Sequence, residues 1–339
     1  MRPTLPNRLG GYRLRRVMTD LPSGTVAMLA AEEPDGALIR SLTAEFDRRG
    51  SVHHAESTEF QTRSGPVRAV RWSLELGDSD DTFGTQLISS LLDDAAEKLG
   101  SRAVTTTVLP SGQRPKGDMM LIMDVDSTLI DQEVIDLLAG FAGAAEEVAK
   151  VTESAMRGEL DFTQSLYARV ETLAGLRDTV LHETSAALTA TAGVREVIST
   201  WQRRHWPVYA VSGGFRQILE PLATELGLTD FDANTLEVVD GRLTGQTVGH
   251  IVGPEAKLQR MLEWSQRSGT PVQNVVAVGD GANDADMVKG AGVGVAFCAK
   301  PALVERADLV ISHRHMGLVA YAVGLDVEAT KSAPAGMVE

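Results

Sequence analysis

Cysteine occurs once in the 339 residues, at Cys298. One cysteine excludes an internal disulfide framework and any zinc finger built on several thiolates. It fits a reducing cytoplasm, and Cys298 itself reads as a packed small hydrophobe. Long apolar runs are missing too: a spanning helix needs about 18 consecutive apolar residues, and stretches such as residues 290–299 fall far short. The amino-terminal MRPTLPNRLGGYRLRR has arginines but no apolar region behind them, so no export signal is expected. Its Arg13–Arg16 stretch reads as solvated. Basic charge is in deficit, with 32 Lys+Arg against 46 Asp+Glu and a net charge of −14, which argues against nucleic acid as a partner. No Walker A sequence occurs, which excludes a P-loop kinase. The expectation is a cytoplasmic chain with no membrane segment.

Apolar material is plentiful, at 43%, enough for a core in each of two or three domains of roughly 100–200 residues. The charge divides the chain. Residues 1–116 carry 15 basic and 15 acidic side chains, whereas residues 117–339 carry 17 and 31. The change falls at LPSGQRPKG, residues 109–117, a Pro/Gly-rich linker signature. Before it, apolar runs and helical periodicity alternate in the order β-α-β-β-α-β: a strand at 25–31, a helix at 37–49 with Leu38, Leu42 and Phe46 on one face, strands at 52–61 and 67–76 around Ser64-Gly65-Pro66, a helix at 82–99 and a strand at 103–109. That is the split βαβ, ferredoxin-like α+β unit. It holds no cluster of His, Cys and carboxylates.

After the linker, strands and helices alternate as in a doubly wound parallel α/β sheet. Apolar runs end in Asp124, in Ser212-Gly213-Gly214 and in Asp280-Gly281; shorter ones lie at 292–296 and 308–311. About 80 residues separate the first two runs, too many for a simple crossover, so an inserted helical cap is expected. Asp240-Gly241 between two β-prone segments predicts a hairpin. The last residues, 326–339, read as a flexible tail.

Polar residues at the carboxyl ends of parallel strands meet in one crevice. Here they are Asp124, Asp126, Ser212, Asp280 and Asp284, with Lys257 opening a helix just before the third strand. Clustered carboxylates call for a cation, and Mg²⁺ suits few carboxylates, waters and phosphate oxygens. Asp124, Asp280 and the Asp126 carbonyl are candidates to share it. The Ser212-Gly213-Gly214 amides and Lys257 are suited to an anion. A phosphate neutralised from all sides is what phosphoryl transfer requires. Of Asp124 and Asp126, one carboxylate can attack phosphorus and the other can move protons to and from oxygen. Spacing leaves open which does which.

DVDST (124–128), VSGGF with Ser212, Lys257, and GDGANDADM (279–287) resemble, in order, the four motifs of the haloacid dehalogenase-like superfamily. DSTLIDQEVID (126–136) and AMRGELDFTQSLYARV (155–170) are similar to the phosphoserine phosphatase family within it. The resemblance spans roughly residues 117–325. It implies an Mg²⁺-dependent hydrolase of phosphoserine, the last step of serine biosynthesis. Asp124 would be the nucleophile and Asp126 the general acid/base, with Asp124, Asp126 and Asp280 at the metal and Asp284 behind them. Ser212, Gly213, Lys257 and Asn283 would serve the phosphate and its surroundings. Glu133 and Arg169 would hold the substrate's ammonium and carboxylate, a chemically sensible pairing, and Met156 and Phe162 would form the apolar cap surface that excludes stray water.

The amino-terminal unit resembles an ACT domain, a small-molecule regulatory module. PDGAL (34–38) would sit where such domains bind a ligand, here an amino-acid effector, and their edges often pair between chains, which points to a homodimer. The expected division is therefore an ACT-like domain at 1–116, a haloacid dehalogenase-like core at 117–325 with its cap at about 138–190, and the tail. Two other readings compete: a phosphatase for another small phosphorylated metabolite, and a non-catalytic amino-acid sensor. A missing catalytic aspartate would favour the sensor, and none is missing. Transfer of the phosphoryl group to an alcohol in place of water stays open. Outside the motifs, His313-Arg314-His315 reads as a surface turn rather than a metal pair, and GAGVGVA (290–296) lacks dinucleotide-loop spacing.

Overall fold

The structure, a computed structural model, describes residues 24–76, 81–100, 104–157 and 159–327; the side chains of residues 81–83 and of Met156 also lie outside the description. The basic amino-terminal stretch and all but Asp326 and Val327 of the expected tail fall outside the described residues.

Strands β1 (Thr25–Ala31), β2 (Ser51–Thr62), β3 (Gly65–Glu75) and β4 (Thr105–Leu109) form an antiparallel sheet in the order β2-β3-β1-β4. Helices α1 (Gly36–Arg49) and α2 (Asp81–Leu99) cover one face, in the expected β-α-β-β-α-β order. Asp35 caps α1 by accepting from Ala37 N at 3.0 Å. The buried stripe of α1 is Ile39, Leu42 and Phe46, and that of α2 is Ile88, Leu92 and Ala95, packed on Leu29, Trp72 and Leu74. The β2–β3 loop is the pair Arg63-Ser64, one residue earlier than expected, because Thr62 pairs with Gly65.

Central strand β1 is buried along its whole length. Its second face, Val26, Met28 and Ala30, joins the hydrophobic cluster of the carboxyl-terminal half. Burial on both faces is why TVAMLAA reads as an unbroken apolar run and not as an alternating one.

That half is built on a seven-stranded sheet, order β11-β10-β9-β5-β6-β7-β8. Its strands are β5 (Met120–Met123), β6 (Val208–Phe215), β7 (Asp230–Val239), β8 (Arg242–Val248), β9 (Val275–Gly279), β10 (Val293–Phe297) and β11 (Leu309–Ile311). All pair in parallel except β8, which returns antiparallel on β7. The β7–β8 turn is Asp240-Gly241 with φ of 49° and 70°, the doubly positive φ that a two-residue hairpin needs.

Between β5 and β6 stand helices α3 (Val134–Ala142), α4 (Ala145–Met156), α5 (Phe162–Glu171) and α6 (Thr179–Ala187), which form the insertion, and α7 (Val194–Gln202), which leads back to the sheet. The insertion is pinched at its root by an antiparallel bridge between Ile130 and Ala190. Its first helix begins at Val134, ahead of the expected position 138. The remaining helices are α8 (Arg216–Leu226), α9 (Pro254–Ser268), α10 (Ala285–Gly290), α11 (Pro301–Val304) and α12 (Gly317–Ala322). Among the described residues no helix is long and apolar enough to cross a membrane.

His313 and His315 do not form a surface turn. His313 is 5% exposed and its Nδ1 lies 3.0 Å from Thr105 Oγ1 on β4. The His315 ring packs on Phe60 of β2 at 5.0 Å. Polar spacing made HRH look like a turn, but the docked amino-terminal sheet covers it. Cys298 is half-buried against the main cluster, as expected.

Candidate active site

β5 is the switch point of the parallel sheet, with β6 on one side and β9 on the other. The connection from β5 runs to β6 and that from neighbouring β9 runs the other way to β10, which opens a crevice at their carboxyl ends. Asp124 follows β5, Ser212 lies in β6, and Asp280 follows β9. Asp124 N donates to Val278 O at 2.9 Å, which ties the first motif to the strand that carries the fourth.

Two carboxylates of the first motif face different surroundings. Asp124 Oδ1 accepts from Val125 N at 2.7 Å and lies 2.7 Å from Lys257 Nζ. Burial, the repulsion of Asp284 and, more weakly, of Asp280 push the Asp124 carboxyl well above its usual range, against the pull of Lys257. Asp126 points elsewhere. Its Oδ1 accepts from Val134 N at 2.8 Å and its Oδ2 from Ser212 Oγ at 3.2 Å. Burial and the neighbouring Glu133 raise it to about 6.

From Asp124 to Ile130 the chain makes one wide turn that carries Asp126, with Leu129 N on Asp124 O and Ile130 N on Val125 O. Ser127 sits in it at φ 55°, a conformation uncommon outside glycine, asparagine and aspartate. Its hydroxyl donates to Glu133 Oε1 at 2.7 Å.

Lys257, on α9, is wholly buried and bridges Asp124 and Asp284 at 2.7 Å each. Burial alone would lower its ammonium; the two carboxylates outweigh that and raise it, so it stays charged. Asp284 Oδ2 accepts from Asp280 N at 3.1 Å and from Gly281 N at 3.0 Å. Asp280 is pushed up to about 6 by burial, then by Asp284 and Glu133.

Oxygens of Asp124, Asp280 and Asp284 lie within 4.8 Å of one another. Asp284 is engaged on both oxygens by Lys257 and two amides, so Asp124 and Asp280 have the carboxylate oxygens left for a cation. The Asp126 carboxylate, expected at the metal, is not in this group. Such an all-oxygen set, with Asp124 and Asp280 raised first by burial and then by Asp284, fits a hard divalent ion.

The β6 end is shaped by two glycines. A Cβ on Gly214 would lie 2.8 Å from Asp126 Oδ2 and 3.0 Å from Ser212 Oγ, and one on Gly213 would lie 3.0 Å from Phe162 Cζ. Gly214 N donates to Ser212 Oγ at 2.7 Å. From the cap, Phe162 opens α5 behind the Asp161–Gln164 capping box and its ring reaches Gly213. Arg169 on the same helix is half-buried. Burial lowers its guanidinium, opposed by Glu133, Asp136 and Asp126, so these charges share the space above the crevice. Asn283 reaches back over Gly281, where a Cβ would meet its Oδ1 at 2.3 Å. Met156 closes α4, and its side chain lies outside the described residues.

Sequence reasoning missed three contributors. Asn234, fully buried in β7, donates to Gly213 O and accepts from Val252 N, both at 2.8 Å. Its signal was a lone amide inside a β-prone run. Thr128, the last residue of DVDST and also fully buried, reaches Asp280 Oδ1 at 3.5 Å. Ser127 holds Glu133, as above.

The profile of the haloacid dehalogenase-like hydrolases matches residues 121–289. A protein of Streptomyces coelicolor named phosphoserine phosphatase is 42% identical over 297 residues, covering 86% of this chain and 70% of that one. Phosphoserine phosphatase SerB2 of Mycobacterium tuberculosis is 48% identical over 217 residues, 64% of this chain and 53% of that one. Among solved structures, a phospho-aspartyl intermediate analogue of a phosphoserine phosphatase superposes with a TM-score of 0.58 at 40% identity, over 61% of this chain and 99% of that one.

Proposed function

This chain belongs to the phosphoserine phosphatases of the haloacid dehalogenase-like hydrolases, and we propose that its crevice cleaves O-phospho-L-serine to L-serine and phosphate through an aspartyl phosphate on Asp124. The observation that carries the assignment of roles is the split between the two carboxylates. Asp124 is tied to the buried Lys257 ammonium, whereas Asp126 stands apart with a value of about 6. A group that donates and then accepts a proton works best near the working pH, which suits Asp126; Asp124, raised by burial against the pull of Lys257, attacks as the carboxylate that Lys257 stabilises.

Val125 N and Lys257 Nζ both meet the Asp124 carboxylate at Oδ1, so Oδ2 is the oxygen offered to phosphorus. As the Oδ2–P bond forms, the bond from phosphorus to the seryl oxygen breaks, and Asp126 gives that oxygen its proton. Serine leaves. Asp126 then takes a proton from a water that attacks phosphorus, the Asp124–P bond breaks, and phosphate departs. Lys257 and the amides of the Ser212-Gly213-Gly214 segment balance charge on the phosphoryl oxygens. Mg²⁺, held by Asp124, Asp280 and the Asp126 carbonyl with Asp284 behind them, would supply further neutralisation of the phosphate when bound.

Glu133 and Arg169 take the ammonium and carboxylate of the amino-acid head, with Met156 and Phe162 closing over it and Asn283 at the rim. The same reading places the chain in the cytoplasm at the last step of serine biosynthesis, with residues 1–116 as an ACT-like regulatory domain open to an amino-acid effector.

The test is phosphate release from L-phosphoserine with Mg²⁺, with EDTA, and with Asp124→Asn, beside phosphothreonine and glycerol phosphate. Release dependent on Mg²⁺, with kcat reduced about three orders of magnitude or more in the variant, is expected. Release only from another ester would overturn the roles of Glu133 and Arg169. No release from any ester would favour the amino-acid sensor.

A further inference from the structure

The segment entering the cap, residues 129–134, does two jobs. It pairs with the segment leaving the cap: Asp131 N donates to Thr189 O and Thr191 N to Leu129 O, each at 3.0 Å. It also sets the site, because Val134 N holds Asp126 Oδ1 and Ser127 N donates to Gln132 O at 3.1 Å. Asp131 lies at its centre with its side chain 7% exposed. Two arginines from opposite ends of the chain grip that carboxylate. Arg314, between β11 and α12, donates through Nε to Asp131 Oδ1 at 2.7 Å and through a terminal nitrogen to Ile130 O at 3.1 Å. Arg63, at the tip of the β2–β3 hairpin, pairs with Asp131 Oδ2.

Through Arg63 the amino-terminal sheet touches the segment that enters the cap. We propose that Asp131 is a positioning residue through which the amino-terminal unit holds the root of the cap. The Arg63–Asp131–Arg314 cluster thereby sets where Glu133 and the cap stand over Asp126. The inference rests on the reaction proposed above. Removing the Arg63 charge frees one oxygen of Asp131 and leaves Arg314 in place, so the entry segment loosens without unfolding. Substrate-head binding should suffer more than the chemical step.

The test compares wild type with Arg63→Ala, Arg63→Lys, Asp131→Asn and the Arg63→Ala/Asp131→Asn double variant, using L-phosphoserine at low salt. An exposed arm on a buried carboxylate predicts a KM raised about two- to fivefold in Arg63→Ala, with kcat little changed. Arg63→Lys should restore most of it. Near 1 M salt the Debye length falls to about 3 Å, so the KM ratio of Arg63→Ala to wild type should shrink, though a contact pair on a buried carboxylate keeps part of it. The double variant should be no worse than Asp131→Asn alone. An Arg63→Ala enzyme with wild-type KM at low salt, or additive effects in the double variant, would overturn the proposal. If wild type cleaves no ester, the reaction fails first. The cluster is then read by hydrogen exchange of amides 129–134 in the full chain, where faster exchange in Arg63→Ala supports it and unchanged exchange rejects it.

Discussion

At the scale of single residues, the crevice is a place where burying carboxylates costs stability. Burial first, then neighbouring carboxylates, push Asp126 and Asp280 up from the usual 3.8 to about 6. Between those values the folded chain binds more protons than the unfolded one, so stability falls as pH rises through the window and is lowest above it. Each shift corresponds to roughly 3 kcal/mol, and Asp124, raised as well, adds in the same direction. A divalent cation replaces the missing protons. In EDTA, Tm should therefore fall between pH 5 and 7.5, and Mg²⁺ should raise it more at pH 7.5 than at pH 5, with both trends weakened in Asp280→Asn. Thermal melts at the two pH values check this; an equal Mg²⁺ effect at both would show that the carboxylates do not hold the ion.

At the scale of elements, what positions the site is the abrupt end of each parallel strand. That is why so much of it was legible. Asp124, Ser212 and Asp280 each terminate an apolar run, and a polar residue at such a place has no structural reason to be there in a buried sheet. Asn234 and Ser127 were not legible, because they act by hydrogen bonds whose partners, Gly213 O and Glu133, are brought close only by the fold. The β6 end shows how little room remains. An alanine at Gly214 puts its Cβ against Asp126 Oδ2 and Ser212 Oγ, and Asp126 cannot yield without losing Val134 N or Ser212. Displacement of a catalytic group by about 1 Å costs on the order of 100-fold. Gly214→Ala should lower kcat by about 10- to 100-fold with KM little changed. Gly213→Ala presses on Phe162 and should mainly raise KM. Steady-state kinetics of the two separates them, and a Gly214→Ala enzyme with full kcat would mean that Asp126 is not the proton carrier.

At the scale of the whole molecule, composition and charge suggest two units joined by a linker, yet the two sheets share a buried face. The unbroken burial of β1 was the sign of it, since a sheet with one face in water alternates. The seam is locked by Arg71 of β3, 4% exposed, whose guanidinium donates to the carbonyls of Tyr321 and Leu325 at 3.1 Å each, pairs with Glu56 and with Asp326, and lies 4.1 Å over the Tyr321 ring. Removing that guanidinium leaves the two buried carbonyls and the mostly buried Glu56 carboxylate short of a partner, at about 1–3 kcal/mol for each group, whereas Asp326, 38% exposed, is rehydrated. A shared core also predicts that both sheets unfold together. In urea, wild type should lose the near-ultraviolet signal of Trp72, in the first sheet, and that of Trp201 and Trp264, in the second half, in one transition. Arg71→Ala should lower the unfolding free energy by several kcal/mol, read as a lower urea midpoint, or split the transition, with Trp72 melting first. A variant whose tryptophans all keep the wild-type midpoint would show that the seam contributes nothing to stability, and that the sheets are held together by the apolar face of β1 alone.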